Sequence, residues 1–346
     1  MVRRARRPVL DPPVPGTRQR GPGHAATPKR PRCAVLGHPV GHSLSPLLHR
    51  AAYAALGLDW EYAAVDVDAD GLAGFVDGLD GRWRGLSLTM PLKWAVLPLL
   101  DELDPVAATV GNVNTLVLGP HRPGVRPLRR GINTDVAGVA SALAGSGAPA
   151  GSDAPPGSDA PAGSDAPAAD VVVLGAGATA CSVLAAIDRA ADITVLARDP
   201  ARTGRLREVA DRLDRPVRIG RLPDGASGRA TLARPDLLVS TLPGGALPAV
   251  DPGLVPGPGG TVFDVVYDGW PTPLARAGTA AGARVVSGLD LLVAQAVGQV
   301  HAMTGRTVDA PVLTRVLADA LVAAGVAGAA GLAGRTCPPR EASKRG

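Results

Sequence analysis

Two residues of this chain are placed to move a proton. One is the lysine that ends Gly85-Leu-Ser-Leu-Thr-Met-Pro-Leu-Lys93. The other is the aspartate of the Gly-bounded loop Gly131-Ile-Asn-Thr-Asp-Val-Ala-Gly138, Asp135. An ammonium can donate a proton and stabilise an oxygen that is gaining negative charge. A neighbouring carboxylate orients that ammonium and holds its charge. A lone lysine at a strand end is ordinarily solvated, so Lys93 and Asp135 matter as two halves of one site.

A third motif says what such a site would work beside. Gly175-x-Gly177-x-x-Ala180 follows the apolar run Asp170–Leu174 and opens a helical pattern. The first glycine permits a tight turn, and the second lets backbone approach a pyrophosphate. The helix N-terminus then favours the anion. Gly175, Ala176, Gly177, Ala178, Thr179 and Ala180 are therefore candidate dinucleotide-binding residues. NAD-binding domains usually place an acid at the end of the second strand, but here Ala197 stands there, followed by Arg198. Arg198 and Arg202 are suited to clamp a 2′-phosphate. Asp199 would repel that phosphate unless it faces away, and Asp199-Pro200 suits an N-cap and first turn. The expected cofactor is NADP, with NAD as the alternative.

The elements that must position these groups follow from pattern. Cys33–Leu36 reads as a buried strand. Ser45-Pro46 opens a helix, with serine as N-cap, that closes at Gly57. Trp60–Val67 and Arg84–Met90 read as strands with a helix over Leu72–Leu79 between them. Asn114–Leu118 and Arg129–Asn133 form a hairpin. After residue 168, Asp170–Leu174, Asp192–Ala197, Asp236–Thr241, Thr261–Val266 and Ala283–Ser287 are continuous apolar runs. Such runs fit a parallel sheet covered on both faces. Leu289 to Met303 is helical, polar at Gln295 and Gln299.

Bulk properties set the frame. The 346 residues have room for two domains, and with 46% hydrophobic but 3% aromatic residues the core must be aliphatic. Residues 1–32 carry nine Arg or Lys against Asp11, a net of +8, and residues 335–346 a net of +3. Taken from the total of +5, these leave the middle of the chain at −6, so no basic surface for nucleic acid is expected. Three cysteines without ligand or disulfide spacing suit a reducing cytosol. No apolar run suits a membrane span, and Arg3-Arg4 is not followed by an apolar segment as a signal would require. His38, His42 and His49 cluster in sequence, but Gly37–Pro46 reads as a loop and no carboxylate is spaced to assist, so no metal is expected. Three near-copies of Gly-Ser-Asp-Ala-Pro between 151 and 167 read as a flexible linker.

Together, Gly37-His-Pro-Val-Gly-His-Ser-Leu-Ser-Pro46, the Lys93 motif and the Asp135 loop resemble the substrate-domain motifs of the shikimate dehydrogenase family, a likeness running from about Cys33 to about Arg306. The resemblance implies two α/β domains: an N-terminal substrate domain and a C-terminal Rossmann-like domain with a doubly wound parallel sheet. The expected divisions are a disordered basic tail (1–31), the substrate domain (32–143, completed by helices within 289–330), the linker (144–168), the NADP domain (169–288) and a disordered tail (331–346).

It also implies that Ser43 and Ser45 hold a substrate carboxylate, while Thr89, Lys93, Asn114 and Asp135 contact ring oxygens. Tyr267 and Gln295 complete that pocket, and Thr241, Val265 and Gly288 lie beside the cofactor. Two departures stand out. Ser87 occupies a place where many relatives have Asn, and Asn112 one where the family has Ala. The implied reaction is reversible NADPH-dependent reduction of 3-dehydroshikimate to shikimate in the cytoplasm, by a monomer or homodimer. The alternatives are an NAD-dependent quinate/shikimate dehydrogenase, a non-catalytic sensor of shikimate-like ligands, and another Rossmann oxidoreductase.

Overall fold

The computed structural model describes residues 30–144, 169–222, 234–247, 250, 255–306 and 309–333. The basic tail up to residue 29, the linker beyond Ala144 and the chain after 333 lie outside the described residues. The expected C-terminal tail starts slightly too early, since residues 331–333 belong to a short helix.

The first domain is built on six strands: β1 (Arg32–Gly37), β2 (Glu61–Asp66), β3 (Trp83–Leu88), β4 (Glu102–Leu103), β5 (Thr115–Leu118) and β6 (Arg129–Ile132). Their order is β2-β1-β3-β5-β6-β4. β1 runs parallel to β2 and β3, whereas β5 is antiparallel to β3 and β6, so the sheet is mixed. Helices α1 (Ser45–Ala55), α2 (Leu72–Asp77), α3 (Leu92–Ala95), α4 (Pro105–Val110) and α5 (Asp135–Ala144) complete this part.

The second sheet holds β7 (Asp170–Leu174), β8 (Asp192–Ala197), β9 (Val217–Arg221), β10 (Leu237–Ser240), β11 (Thr261–Asp264) and β12 (Arg284–Ser287). All are parallel, in the order β12-β11-β10-β7-β8-β9. Counting β7 as the first, this is the 3-2-1-4-5-6 order of dinucleotide-binding sheets. Val171 and Val173 feed one apolar cluster with Leu237 and Val239; Val172 and Leu174 feed another with Leu238. Cover on both faces is why these runs are continuously apolar rather than alternating. Helices α6 (Ala178–Ala186), α7 (Gly204–Arg212) and α8 (Pro273–Ala280) supply it.

The chain then returns to the first domain. Helix α9 (Gly288–Thr304) starts on the residue after β12 and packs against α1, α5, β3 and β5. Helix α10 (Ala310–Ala323) covers α1, and α11 (Ala330–Ala333) follows. Leu48 and Ala52 of α1 share one core with Leu289, Val293, Ala296 and Val300 of α9 and with Leu313 and Leu317 of α10.

One local expectation is corrected. Ser45 is the first residue of α1 rather than its cap, because Leu44 already has helical dihedrals and accepts the first ladder bond from Leu48. Pro46 then sits in the first turn, where its missing N–H costs nothing. The Ser45 hydroxyl is thereby released from capping, and the N–H of Ser45 donates to Ser43 Oγ at 3.3 Å.

Candidate active site

Strand ends and helix starts bring the proton-moving pair together. Lys93 follows the turn between β3 and α3, and Asp135 opens α5, whose first N–H groups need acceptors. Asn133 Oδ1 supplies one, accepting from the N–H of Asp135 (2.9 Å) and of Val136 (3.2 Å). Lys93 Nζ donates to Asp135 Oδ2 at 2.5 Å. The side chains are 14% and 5% exposed, so the lysine can be reached while the carboxylate stays dry.

Asn114 fixes the other carboxylate oxygen. Its Oδ1 accepts from the N–H of Thr134 and the hydroxyl of Thr115, both at 2.9 Å. That leaves Nδ2 to donate to Thr134 Oγ1 and to Asp135 Oδ1, each at 2.8 Å. The amide therefore has one orientation. Both carboxylate oxygens of Asp135 are engaged, and Lys93 keeps two protons to offer.

This pair lies on the wall of a cavity of about 290 Å³. Ser43, Ser45, Thr89, Lys93, Asn114, Asp135, Tyr267 and Gln295, the eight residues expected to hold substrate, all line it. Thr179, Val265 and Gly288 line it from the second domain, so the cavity lies where the two domains meet. Tyr267 crosses that boundary. Burial raises its hydroxyl, while the Leu44 backbone and the Ser43 hydroxyl facing it lower it.

The remaining expected cofactor residues lie outside the cavity. Gly175 takes φ +98°, and a Cβ there would meet Thr241 Oγ1 at 2.6 Å; Thr241 Oγ1 donates to the carbonyl of Leu174 at 2.9 Å. A Cβ at Gly177 would meet nothing within 4 Å, so the space in front of the N-terminus of α6 is open. A glycine turn, an open approach and a nine-residue helix fit a pyrophosphate. Arg198 and Arg202 are exposed at the end of β8, suited to a 2′-phosphate. Asp199 caps the turn Pro200–Arg202, its carboxylate accepting from the N–H of Ala201 at 3.0 Å. Ala180 is corrected: it is fully buried, within the core that α6 shares with β7. Its small size serves packing, not cofactor contact.

Sequence reasoning missed a polar network that reaches the cavity wall at Ser87 and Gln299. Gln299 Nε2 donates to the carbonyl of Asn114 (3.2 Å) and to Thr115 Oγ1 (3.1 Å). Its Oε1 therefore faces Ser87, which donates to it at 2.8 Å, and His49 Nε2 at 3.2 Å. Tyr62 donates to Ser87 Oγ at 2.6 Å and stacks on His49 with ring centroids 4.0 Å apart. Burial lowers the His49 pKa to about 4, partly opposed by the bond to Gln299. Gln299 stands one helical turn beyond Gln295 on α9, and that i, i+4 spacing was the available signal. The three clustered histidines separate: His38 pairs with Asp66 at 2.6 Å on the surface, His42 lines the cavity, and His49 is buried. Among the described residues no group of three or more His, Cys, Asp or Glu could hold a metal ion, and no helix is long and apolar enough to cross a membrane.

Comparison with known proteins places this arrangement. The family model for the shikimate dehydrogenase substrate binding domain matches residues 35–116. The shikimate dehydrogenase (NADP(+)) of Moorella thermoacetica is 36% identical over 305 residues, which is 86% of this chain and 96% of that protein. The crystal structure of Mycobacterium tuberculosis shikimate dehydrogenase is 37% identical with a TM-score of 0.66, covering 84% of this chain and 99% of that one. Shikimate 5-dehydrogenase from Thermus thermophilus, in complex with NADP(H) and shikimate, is 31% identical with a TM-score of 0.65, covering 84% and 100%. The chain belongs to the shikimate dehydrogenase family.

Proposed function

We infer that the protein catalyses the reversible, NADPH-dependent reduction of 3-dehydroshikimate to shikimate, a step towards aromatic amino acids. The observation that carries this reading is the Lys93–Asp135 pair at 2.5 Å, on a cavity lined from both domains. When bound, the dinucleotide supplies hydride to the ring ketone. Gly175–Thr179, Thr241, Val265 and Gly288 would hold it, with Arg198 and Arg202 on its 2′-phosphate.

The chain's own residues do the rest. Ser43 and Ser45 hold the ring carboxylate. Thr89, Asn114 and Gln295 sort the ring oxygens, and Tyr267 closes the wall from the second domain. Lys93 delivers a proton to the oxygen that becomes an alkoxide, and its positive charge stabilises that oxygen before transfer. Asp135 keeps the ammonium aimed into the cavity. In the reverse direction Lys93 takes the proton back, as microscopic reversibility requires. A location in the cytoplasm, among small-molecule partners, goes with this reading, whether the protein acts as monomer or homodimer.

The capping role of Asp199 turns its carboxylate to local use and supports NADP over the NAD-dependent quinate reading. The test is absorbance of reduced nicotinamide with shikimate or quinate as substrate and NADP or NAD as cofactor. Shikimate with NADP should give the highest kcat/KM. Lys93→Ala should lower kcat by about 10²- to 10⁴-fold, the usual weight of a positioned general acid. Quinate oxidation with NAD in preference, or an active alanine variant, would overturn the reading.

A further inference from the structure

Asn112, set where the family motif has alanine, is fully buried, and its amide joins the two domains. Its Nδ2 donates to the carbonyl of Val110 at 3.1 Å and to the carbonyl of Ala178 at 3.2 Å. Ala178 is the first residue of α6, between the Gly175–Gly177 turn and Thr179, which lines the cavity. With Nδ2 facing two carbonyls, Oδ1 must face the other way, where Asn133 Nδ2 donates to it at 2.9 Å. The same Asn133 amide nitrogen reaches Ser182 Oγ, also on α6, at 3.3 Å. Asn133 Oδ1 is then left to receive the N–H groups of Asp135 and Val136.

Two amides, each with a single allowed orientation, thus connect the backbone of the nucleotide loop to the backbone of Asp135. A buried amide group left without a partner forfeits its hydration with nothing in return. Neither the loop nor the start of α5 can therefore shift alone without a penalty.

We propose that Asn112 is a positioning residue that couples dinucleotide binding at Gly175–Thr179 to the seating of substrate against Asp135 and Lys93. The coupling rests on the dehydrogenase reading above. A ligand that steadies the loop steadies Asp135, and by linkage substrate must tighten the dinucleotide by the same factor. Alanine at position 112 removes the donor to Ala178 and the nearer of the two Asn112 acceptors of Asn133 Nδ2, leaving that nitrogen the Asn112 carbonyl at 3.2 Å and Ser182 Oγ at 3.3 Å.

The test uses a complex that cannot turn over, NADPH with shikimate, in the full-length protein. NADPH fluorescence gives its Kd without and with saturating shikimate. In the wild-type protein shikimate should tighten NADPH at least about 5-fold, within the usual range of coupling. In Asn112→Ala the ratio should fall towards 1 and kcat should drop several-fold, while the Kd of NADPH alone stays within twofold. Ser182→Ala, which leaves Asn112 in place, should lower the ratio less, and it serves if the first variant does not fold. A wild-type ratio of 1 would overturn the proposal. So would a variant whose thermal stability falls while its ratio and kcat hold. A wild-type protein without shikimate turnover would instead remove the dehydrogenase reading, and the Kd ratio is read independently of turnover.

Discussion

Arg198 and Arg202 flank Asp199, and no protein group among the described residues engages either guanidinium, whereas the aspartate is engaged by Ala201. Two free cations beside an occupied anion make a phosphate site out of a stretch whose formal charge is only +1. Arg198→Ala should raise KM for NADP about 10- to 100-fold, the weight of one charge-assisted hydrogen bond, and leave KM for NAD within about threefold. Equal loss with both cofactors would mean that Arg198 does not read the 2′-phosphate. At this scale the sequence was legible wherever a role depends on residue type and local spacing. The meeting of Lys93 with Asp135 and the cap formed by Asp199 are such cases. Ser45 was not, because whether a serine caps a helix or opens it depends on the dihedrals of Leu44. Ala180 was not either, since a fingerprint position does not say which way its methyl points.

The elements follow from the same physics with a different failure. Runs apolar at every position placed β7, β8, β10, β11 and β12, because a sheet covered on both faces leaves no other choice. The edge strand β9 has no fully buried residue, with Arg218 and Arg221 exposed and the other three half-buried, so no apolar run marked it. Two-residue β4 is exposed throughout and has no pattern to read. Helix α9 was visible as an element, and its return to the first domain, expected only from the resemblance, depends on the close join after β12. That join explains Gly288. A Cβ there would lie 2.2 Å from the carbonyl oxygen of Val265, which belongs to backbone and cannot swing aside. Gly288→Ala should cost about 1–3 kcal/mol of stability, as overpacking does. Val265 and Gly288 both line the cavity, so KM for NADP should also rise. Thermal unfolding with and without NADP would read both effects, and an unchanged midpoint would contradict the close approach.

For the molecule as a whole, the buried His49 ties stability to pH. Its folded pKa is near 4 against an ordinary 6.5. Between these values the unfolded chain binds a proton that the folded one refuses. This contribution is therefore fully present above about pH 6.5 and is lost as pH falls towards 4, by at most about 3 kcal/mol. Surface carboxylates held low by partners, such as Asp66 beside His38 and Asp101 beside Arg126, act in the same direction at lower pH. His49→Gln should be less stable at pH 7, and its midpoint should fall less between pH 7 and 5 than that of the parent. An unchanged slope would clear His49 of the effect. None of this was legible in the sequence, where His49 is one of three histidines within twelve residues. Only the packing of α1 against Tyr62 and Gln299 separates it from the other two.

The join between β12 and α9 has a mechanical meaning. Ser287 ends the strand and Gly288 begins the helix, with a capping box closing the corner, so on this side the domains meet at a single peptide with no slack. Gln295 and Gln299 stand about 10 and 16 Å along the helix from that fulcrum. A swing of about 10° between helix and sheet would move them about 2 and 3 Å relative to the second sheet, close to the length of a hydrogen bond. The length of α9 thereby turns any rotation at that join into a displacement that is larger at Gln299 than at Gln295.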